Sequence, residues 1–214
     1  MKPATAVVTA HRDYQVYTEF YACPTARQTI ILVNGSLATT AAFAHTIKYL
    51  QPQFNVVLYD QPYAGQSKPH NHHQQPLSKE DEAAILLALI KRFDADLLLS
   101  FSWGGACALL ALAQQPARIE KAVISSFTPR LNEPMLAYLE QGRRYLHNLE
   151  RENIAQLVNN TLGKYLPSLF KRHNQRHISG LAEHEYRQLL AHIDLLLIQP
   201  DNCDNRYLGR IEIP

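Results

Sequence analysis

No apolar run in the sequence approaches the roughly 20 residues that a membrane-spanning helix needs. Met1-Lys2-Pro3-Ala4-Thr5 leads into a short apolar run and then His11-Arg12-Asp13, so a signal-peptide core is absent. Neither sign of charge dominates. With 21 Lys and Arg against 19 Asp and Glu, the net charge of +2 gives no footprint for general nucleic-acid binding. Cysteine is scarce and scattered. Cys23, Cys107 and Cys203 form no C-x-x-C pair, which reads as reduced thiols in a cytoplasmic protein. No internal repeat or low-complexity tract is present. The histidine-rich stretch His70-Asn71-His72-His73 lacks zinc-ligand spacing and sits beside Pro69, Gln74, Gln75 and Pro76, so it reads as a solvated loop and no metal site is expected. No histidine is followed by Asp five positions later, which excludes an H-x-x-x-x-D acyltransferase; after His177 that place holds Ala182.

What is there is a chain of 214 residues, 46% hydrophobic, long enough for one globular core with an inserted subdomain. Val7-Val8 and the segment Tyr14 to Tyr21 predict an opening hairpin. Thr29-Ile30-Ile31-Leu32-Val33, Phe54 to Asp60, Asp96 to Leu99 and Lys121 to Ser126 predict buried strands. Between them Ser78, with Asp81 in capping-box position, starts a helix whose stripe is Ile85, Leu86, Leu89, Ile90 and Phe93. Alternating strands and helices predict a mostly parallel sheet covered on both faces. After Pro129 the pattern becomes helical. Asn132-Glu133-Pro134 starts a helix with Met135, Leu136, Leu139 and Leu146 on one face. Ile154, Leu157, Val158 and Leu162 predict a second apolar face. Leu189, Leu190, Ile193, Leu196 and Leu197 predict a third. The expected organisation is a core over 1–131, a helical cap over 132–199, a polar loop from Asp201 to Arg206, and a return to the core over 200–214. Ile211-Glu212-Ile213-Pro214 reads as the approach to a further strand.

The chemistry concentrates at Ser100-Phe101-Ser102-Trp103-Gly104-Gly105. An apolar strand precedes it, and the helical run Ala106 to Leu112 follows. Strand, sharp turn and helix with a serine at the apex resembles the nucleophile elbow of α/β-hydrolases. Ser100 stands where the first glycine of G-x-S-x-G usually is, and Gly104 where the second is. Ser102 is the expected nucleophile; the competing reading is a tight turn in an inactive relative of the fold. Asn34-Gly35-Ser36 follows the Thr29–Val33 strand, so the Ser36 N–H, with that of Trp103, is expected to hold an oxyanion. The alternative is an ordinary strand-to-loop turn. Asp60-Gln61-Pro62-Tyr63-Ala64-Gly65-Gln66-Ser67 reads as structural, with Gly65 at positive φ and local hydrogen bonds from Asp60 and Ser67. The basic run Lys171 to His177 reads either as a solvated face or, through Lys171, Arg172 and Arg176, as a dock for an acidic carrier.

The stretches Val33 to Thr40, Phe54 to Pro62, Ser102 to Gly105 and Gly163-Lys164-Tyr165-Leu166-Pro167 resemble the 3-hydroxyacyl-ACP acyltransferase group of the α/β-hydrolase superfamily. Tyr17 to Tyr21 and Gln66 to Asn71 resemble its transacylase branch, which feeds polyhydroxyalkanoate synthesis, more than the branch that joins two chains for rhamnolipids. The resemblance implies an α/β-hydrolase fold with a helical cap, a 3-hydroxyacyl thioester on acyl carrier protein as substrate, and an acyl-serine at Ser102. It implies coenzyme A as the acceptor substrate and no cofactor. A thioesterase using water is the near alternative. Members of the group carry the acid in a Gly-x-x-Asp turn and the base in a Gly-His turn, both beyond the position of Pro214. The resemblance therefore implies that 1–214 lacks the last two strands, the acid and the base, and is a catalytically incomplete fragment. It also implies that the Val123-Ile124 strand is an unprotected edge. Neither His177, His192 nor Asp194 is expected behind the serine.

Overall fold

The computed structural model describes residues 2–36, 38–72, 75–128, 130–198 and 208–214. The chain divides into two units, Met1–Pro129 with Cys203–Pro214, and Arg130–Asn202. The first holds a six-stranded sheet in the order β1-β2-β4-β3-β5-β6. Its strands are β1 (Ala4–His11), β2 (Tyr14–Tyr21), β3 (Thr29–Val33), β4 (Asn55–Tyr59), β5 (Leu97–Phe101) and β6 (Lys121–Ser125). The hairpin β1-β2 and the pair β2-β4 are antiparallel. The pairs β3-β4, β3-β5 and β5-β6 are parallel.

The continuous apolar run of β3 has a direct cause. Every residue from Thr29 to Val33 is buried, because the strand is flanked on both edges and covered on both faces. Ile31 and Val33 join Val57, Tyr59 and Leu98 in a core closed by α2 (Lys79–Arg92) and α3 (Gly104–Leu112). Ile30 and Leu32 join Val56 and Leu58 on the opposite face, against Phe43 and Ile47 of the segment that carries α1 (Ala44–Leu50). Helix α2 starts as its sequence predicts. The Asp81 N–H donates to Ser78 Oγ at 3.0 Å, and the Ser78 hydroxyl donates to the Asp81 carboxylate at 2.8 Å. Ile85, Leu86, Leu89 and Ile90 are buried on its inner face.

β6 is the outermost strand on its side of the sheet, as expected, and a backbone bond reaches it from outside the sheet. The Ala122 N–H donates to the Pro214 carbonyl at 3.0 Å. Ile211 and Ile213 pack against the core that Ala122 and Ile124 join. Two β-branched residues at i and i+2 share one face of an extended segment, and that face is the apolar one here. Val123, on the opposite face, remains 58% exposed.

The second unit is four helices, α4 (Glu133–His147), α5 (Arg151–Asn160), α6 (Ser168–Ser179) and α7 (Glu183–Ile198). Helix α4 packs on α5 and α7, and α5 packs on α6. Asn132 caps α4 as expected, its Oδ1 accepting from the Met135 N–H at 3.0 Å. Leu139, Leu146, Ile154, Leu157, Tyr186 and Ile193 form the buried centres of the helices. One predicted face needs correction. Leu162 leaves the α5 face and is 61% exposed. The helix ends at Asn160, where Thr161 Oγ1 donates to the Leu157 carbonyl at 2.6 Å and the Gly163 N–H to the Val158 carbonyl at 2.8 Å. On α7 Ile193 of the predicted face is buried and Leu189, Leu190, Leu196 and Leu197 are half-buried, while Glu185, Tyr186, Gln188 and His192 are buried as well. Polar members stay inside because they have partners: Glu185 accepts from the Ala182 N–H, and Gln188 is 2.7 Å from His192 Nε2. Among the described residues no helix is long and apolar enough to cross a membrane.

Candidate active site

Strand β5 ends at Phe101 and α3 begins at Gly104, so the chain reverses within Ser102 and Trp103. Ser102 sits at φ +52°, in the left-handed region that costs a non-glycine residue of order 1–3 kcal/mol. Tertiary contacts hold it there. Its own N–H donates to the Ser125 carbonyl of β6 at 2.9 Å, and its carbonyl accepts from the Gly105 N–H at 2.9 Å. The side chain is half-buried.

Glycine at 104 has a steric cause. A Cβ there would stand 2.3 Å from the Asn34 carbonyl oxygen and 3.0 Å from that of Val33, so the start of α3 touches the end of β3. That approach brings the Asn34-Gly35-Ser36 turn to the serine. A Cβ on Gly35 would lie 3.0 Å from Ser102 Cβ and 3.6 Å from Ser102 Oγ. Asn34 is buried, and its Nδ2 donates to the Tyr59 carbonyl at 3.4 Å, tying the turn to β4. Among the described residues neither the Ser36 nor the Trp103 N–H has an acceptor. Two unspent donors thus belong to the two segments that meet at Ser102.

Behind this turn Asp60 makes the local hydrogen bonds that its sequence suggests, and it joins Thr40 and Glu19, whose roles the sequence did not disclose. Asp60 Oδ1 accepts from the Thr40 N–H at 2.7 Å, and Oδ2 from the Gln66 N–H at 2.8 Å. Thr40 Oγ1 donates to Glu19 Oε1 at 2.9 Å. Glu19 also accepts from the hydroxyl of Tyr21, whose pKa burial and this bond push up to about 12. Thr40 is therefore pinned to β2 and to the end of β4. An acidic residue at Glu19, within the aromatic strand Tyr17 to Tyr21, was the available signal. Asp60 is 1% exposed. Burial raises its pKa, opposed by the amides of Gln66 and Thr40. Gly65 has φ +48°, and a Cβ there would overlap Asp60 Oδ2. Ser67 Oγ donates to the Asp60 carbonyl and accepts from the Tyr17 N–H, both at 2.8 Å. The Asp60 to Ser67 segment is thus structural, as its sequence suggests.

Ser100, in the first glycine's place, is fully buried within β5, and its Oγ has no partner among the described residues. No histidine or carboxylate is hydrogen-bonded to Ser102 among the described residues. His177, His192 and Asp194 belong to the helical unit. Of the basic run, Lys171 donates from Nζ to the Lys164 carbonyl at 2.6 Å, whereas Arg172 and Arg176 are exposed. Among the described residues no group of His, Cys, Asp or Glu is arranged to hold a metal ion. His73, Gln74, Cys203 and the predicted loop Asp201 to Arg206 lie outside the described residues.

Comparison with known proteins gives the family and the fold. The alpha/beta hydrolase fold family matches residues 28–195. The "(R)-3-hydroxydecanoyl-ACP:CoA transacylase" of Pseudomonas aeruginosa is 59% identical across the whole chain, which spans 71% of that relative. The protein of the same name from Pseudomonas putida is 58% identical over 92% of the chain, spanning 67% of the relative. Solved structures carry the fold alone. An alpha/beta hydrolase enzyme from a Medee basin deep-sea metagenome library superposes with a TM-score of 0.75 at 13% identity, covering 98% of this chain and 77% of its own. A thermophilic esterase from Thermogutta terrifontis gives 0.71 at 17% identity, covering 99% and 78%. The chain belongs to the α/β-hydrolase fold family and, within it, to the family of the (R)-3-hydroxydecanoyl-ACP:CoA transacylases.

Proposed function

We propose that the protein transfers the acyl group of a 3-hydroxyacyl-ACP to coenzyme A through an ester on Ser102. The observation that carries this is the placement of Ser102 at φ +52° between β5 and α3, with Gly35 against it and the Ser36 and Trp103 amides unspent. The names of the Pseudomonas relatives supply the substrate pair.

In this reading Ser102 Oγ attacks the thioester carbonyl carbon and gives up its proton to a general base. The carbonyl oxygen becomes an oxyanion and accepts from the Ser36 and Trp103 amides, each worth about 3 kcal/mol at the transition state. Collapse breaks the C–S bond. The carrier's sulfur leaves as the thiol, taking the proton back from the base, and the acyl group remains on Ser102. The thiol of coenzyme A then attacks the ester, its proton passes through the same base to Ser102 Oγ, and 3-hydroxyacyl-CoA departs. The described residues place no base on Ser102, and no residue is assigned to the proton relay. Coenzyme A and the carrier are substrates; no cofactor enters.

The test is intact-mass analysis after incubation with 3-hydroxydecanoyl-ACP. The expected result is an acyl adduct that maps to Ser102, is absent in Ser102→Ala, and is discharged by coenzyme A to 3-hydroxydecanoyl-CoA. An adduct that survives Ser102→Ala sinks the assignment. Discharge to free 3-hydroxy acid at the same rate with and without coenzyme A makes water the acceptor and the protein a thioesterase.

A further inference from the structure

The loop between α5 and α6, together with α6, concentrates two properties on one exposed surface. Residues 161–180 hold Lys164, Lys171, Arg172 and Arg176 and no acid. That segment alone exceeds the net charge of +2 of the whole chain, so the rest of the chain is net acidic. The same segment exposes large apolar side chains. Tyr165 is 91% and Leu169 66% exposed, and Leu162, Leu166 and Phe170 are exposed beside them.

The packing explains how the surface is presented. Asn159 of α5 donates from Nδ2 to the Lys171 carbonyl at 2.9 Å and to Gln175 Oε1 at 3.3 Å. Asn174 donates to Asn159 Oδ1, and Gln175 to Glu152. These amide bonds fix the inner edge of α6 to α5. The outer edge then shows Leu169, Arg172, His173 and Arg176 at i, i+3, i+4 and i+7, a single stripe of the helix. Among the described residues neither guanidinium on this stripe has an acidic partner. Two arginines without counter-charges, held on a rigid helix beside apolar side chains, form a recognition surface with little ordering entropy to lose.

The stripe selects the kind of occupant. Arg176 lies in line with Leu169 two turns further on. Pressing this face into a bilayer would carry the guanidinium into hydrocarbon with the leucine, which is costly. A folded partner with carboxylates around an apolar patch meets both groups at once. We propose that the α5–α6 loop and α6 dock the acidic acyl carrier protein, with Arg172 and Arg176 meeting its carboxylates and Leu169 and Phe170 covering its apolar surface. This rests on the carrier being the acyl donor.

The experiment titrates wild-type protein and variants with holo acyl carrier protein bearing no acyl group, read by fluorescence anisotropy. No acyl transfer is needed for the signal. Arg172→Glu with Arg176→Glu should weaken binding about tenfold or more and flatten its salt dependence. Leu169→Ser should weaken it severalfold while keeping that dependence. All these side chains are exposed, and circular dichroism checks that the helices persist. Carrier affinity equal to wild type in both variants overturns the proposal. So does binding to phosphatidylglycerol vesicles, or self-association, that both variants abolish while carrier affinity holds. The outcome for acyl transfer is separate. If the carrier binds through this surface and no Ser102 adduct ever forms, the catalytic reading fails and the docking surface stands.

Discussion

Replacing Gly104 with alanine tests the geometry on which the candidate site depends. The added Cβ would meet the Asn34 carbonyl oxygen at 2.3 Å, its carbon at 3.0 Å and the Val33 oxygen at 3.0 Å, where ordinary contacts begin at 3.4 Å. Relief needs a shift of roughly 1 Å between the start of α3 and the end of β3. Both obstacles are main chain, at the end of β3 and in the turn that follows it, so no rotamer change accommodates it. Overpacking costs about 1–3 kcal/mol, and this case belongs at the top of that range. Alanine regains up to about 1 kcal/mol of helix propensity over glycine, and less at the first residue of a helix. The expected loss is thus about 2 kcal/mol or more. The same displacement separates Ser102 from the Ser36 amide, and a misplacement of about 1 Å can cost about a hundredfold in rate.

Gly105→Ala is the matched control. Its Cβ would meet Phe127 Cγ at 2.6 Å and Cβ at 3.0 Å, so it also overpacks, but against one half-buried side chain rather than against the main chain of a neighbouring segment, and the expected cost is smaller than at Gly104. Comparing the two variants by urea unfolding cancels much of the propensity gain. Formation of the Ser102 adduct gives the second readout. A Gly104→Ala protein within about 0.5 kcal/mol of wild type, or no less stable than Gly105→Ala, refutes the close approach of α3 to β3.

Two further outcomes follow from buried polar groups. Ser100→Ala removes a fully buried hydroxyl that has no partner among the described residues, so urea unfolding should show a gain of about 1 kcal/mol; a loss would mean that the hydroxyl is satisfied. Asp60 should titrate above an exposed aspartate in a carboxyl NMR series, because burial outweighs the amides of Thr40 and Gln66. The folded state then binds the proton more tightly than the unfolded state. Its contribution is fully present below the ordinary carboxylate range and is lost as pH rises through the raised folded value. Asp60→Asn should flatten that part of the stability profile and cost about 1–3 kcal/mol, since its amide turns an N–H toward the Thr40 or Gln66 N–H. An Asp60 that titrates below an exposed aspartate removes the basis of this prediction.

Periodicity and caps reach as far as single elements. The buried run of β3, the Ser78 and Asn132 caps, and the strand-turn-helix around Ser102 are all local patterns, so they are legible in the sequence. The clamp behind the turn is different. Glu19, Thr40 and Asp60 come from three separate segments, and each looks like an ordinary polar residue until the sheet order puts β2 beside β4. On α7 the predicted face holds, with Ile193 buried, but the stripe does not disclose that Glu185, Gln188 and His192 are buried too, each with a hydrogen-bond partner. The edge at β6 shows the same limit from the other side. Ile211 and Ile213 state by their spacing that one face is apolar, but not which strand will receive it; the Ala122 to Pro214 hydrogen bond gives that answer. For the clamp and the β6 edge the missing information is a pairing between distant segments. The candidate chemistry at Ser102 depends on one such pairing, because Ser102 follows β5 and Ser36 follows β3, and the register of β3 with β5 brings the two turns together.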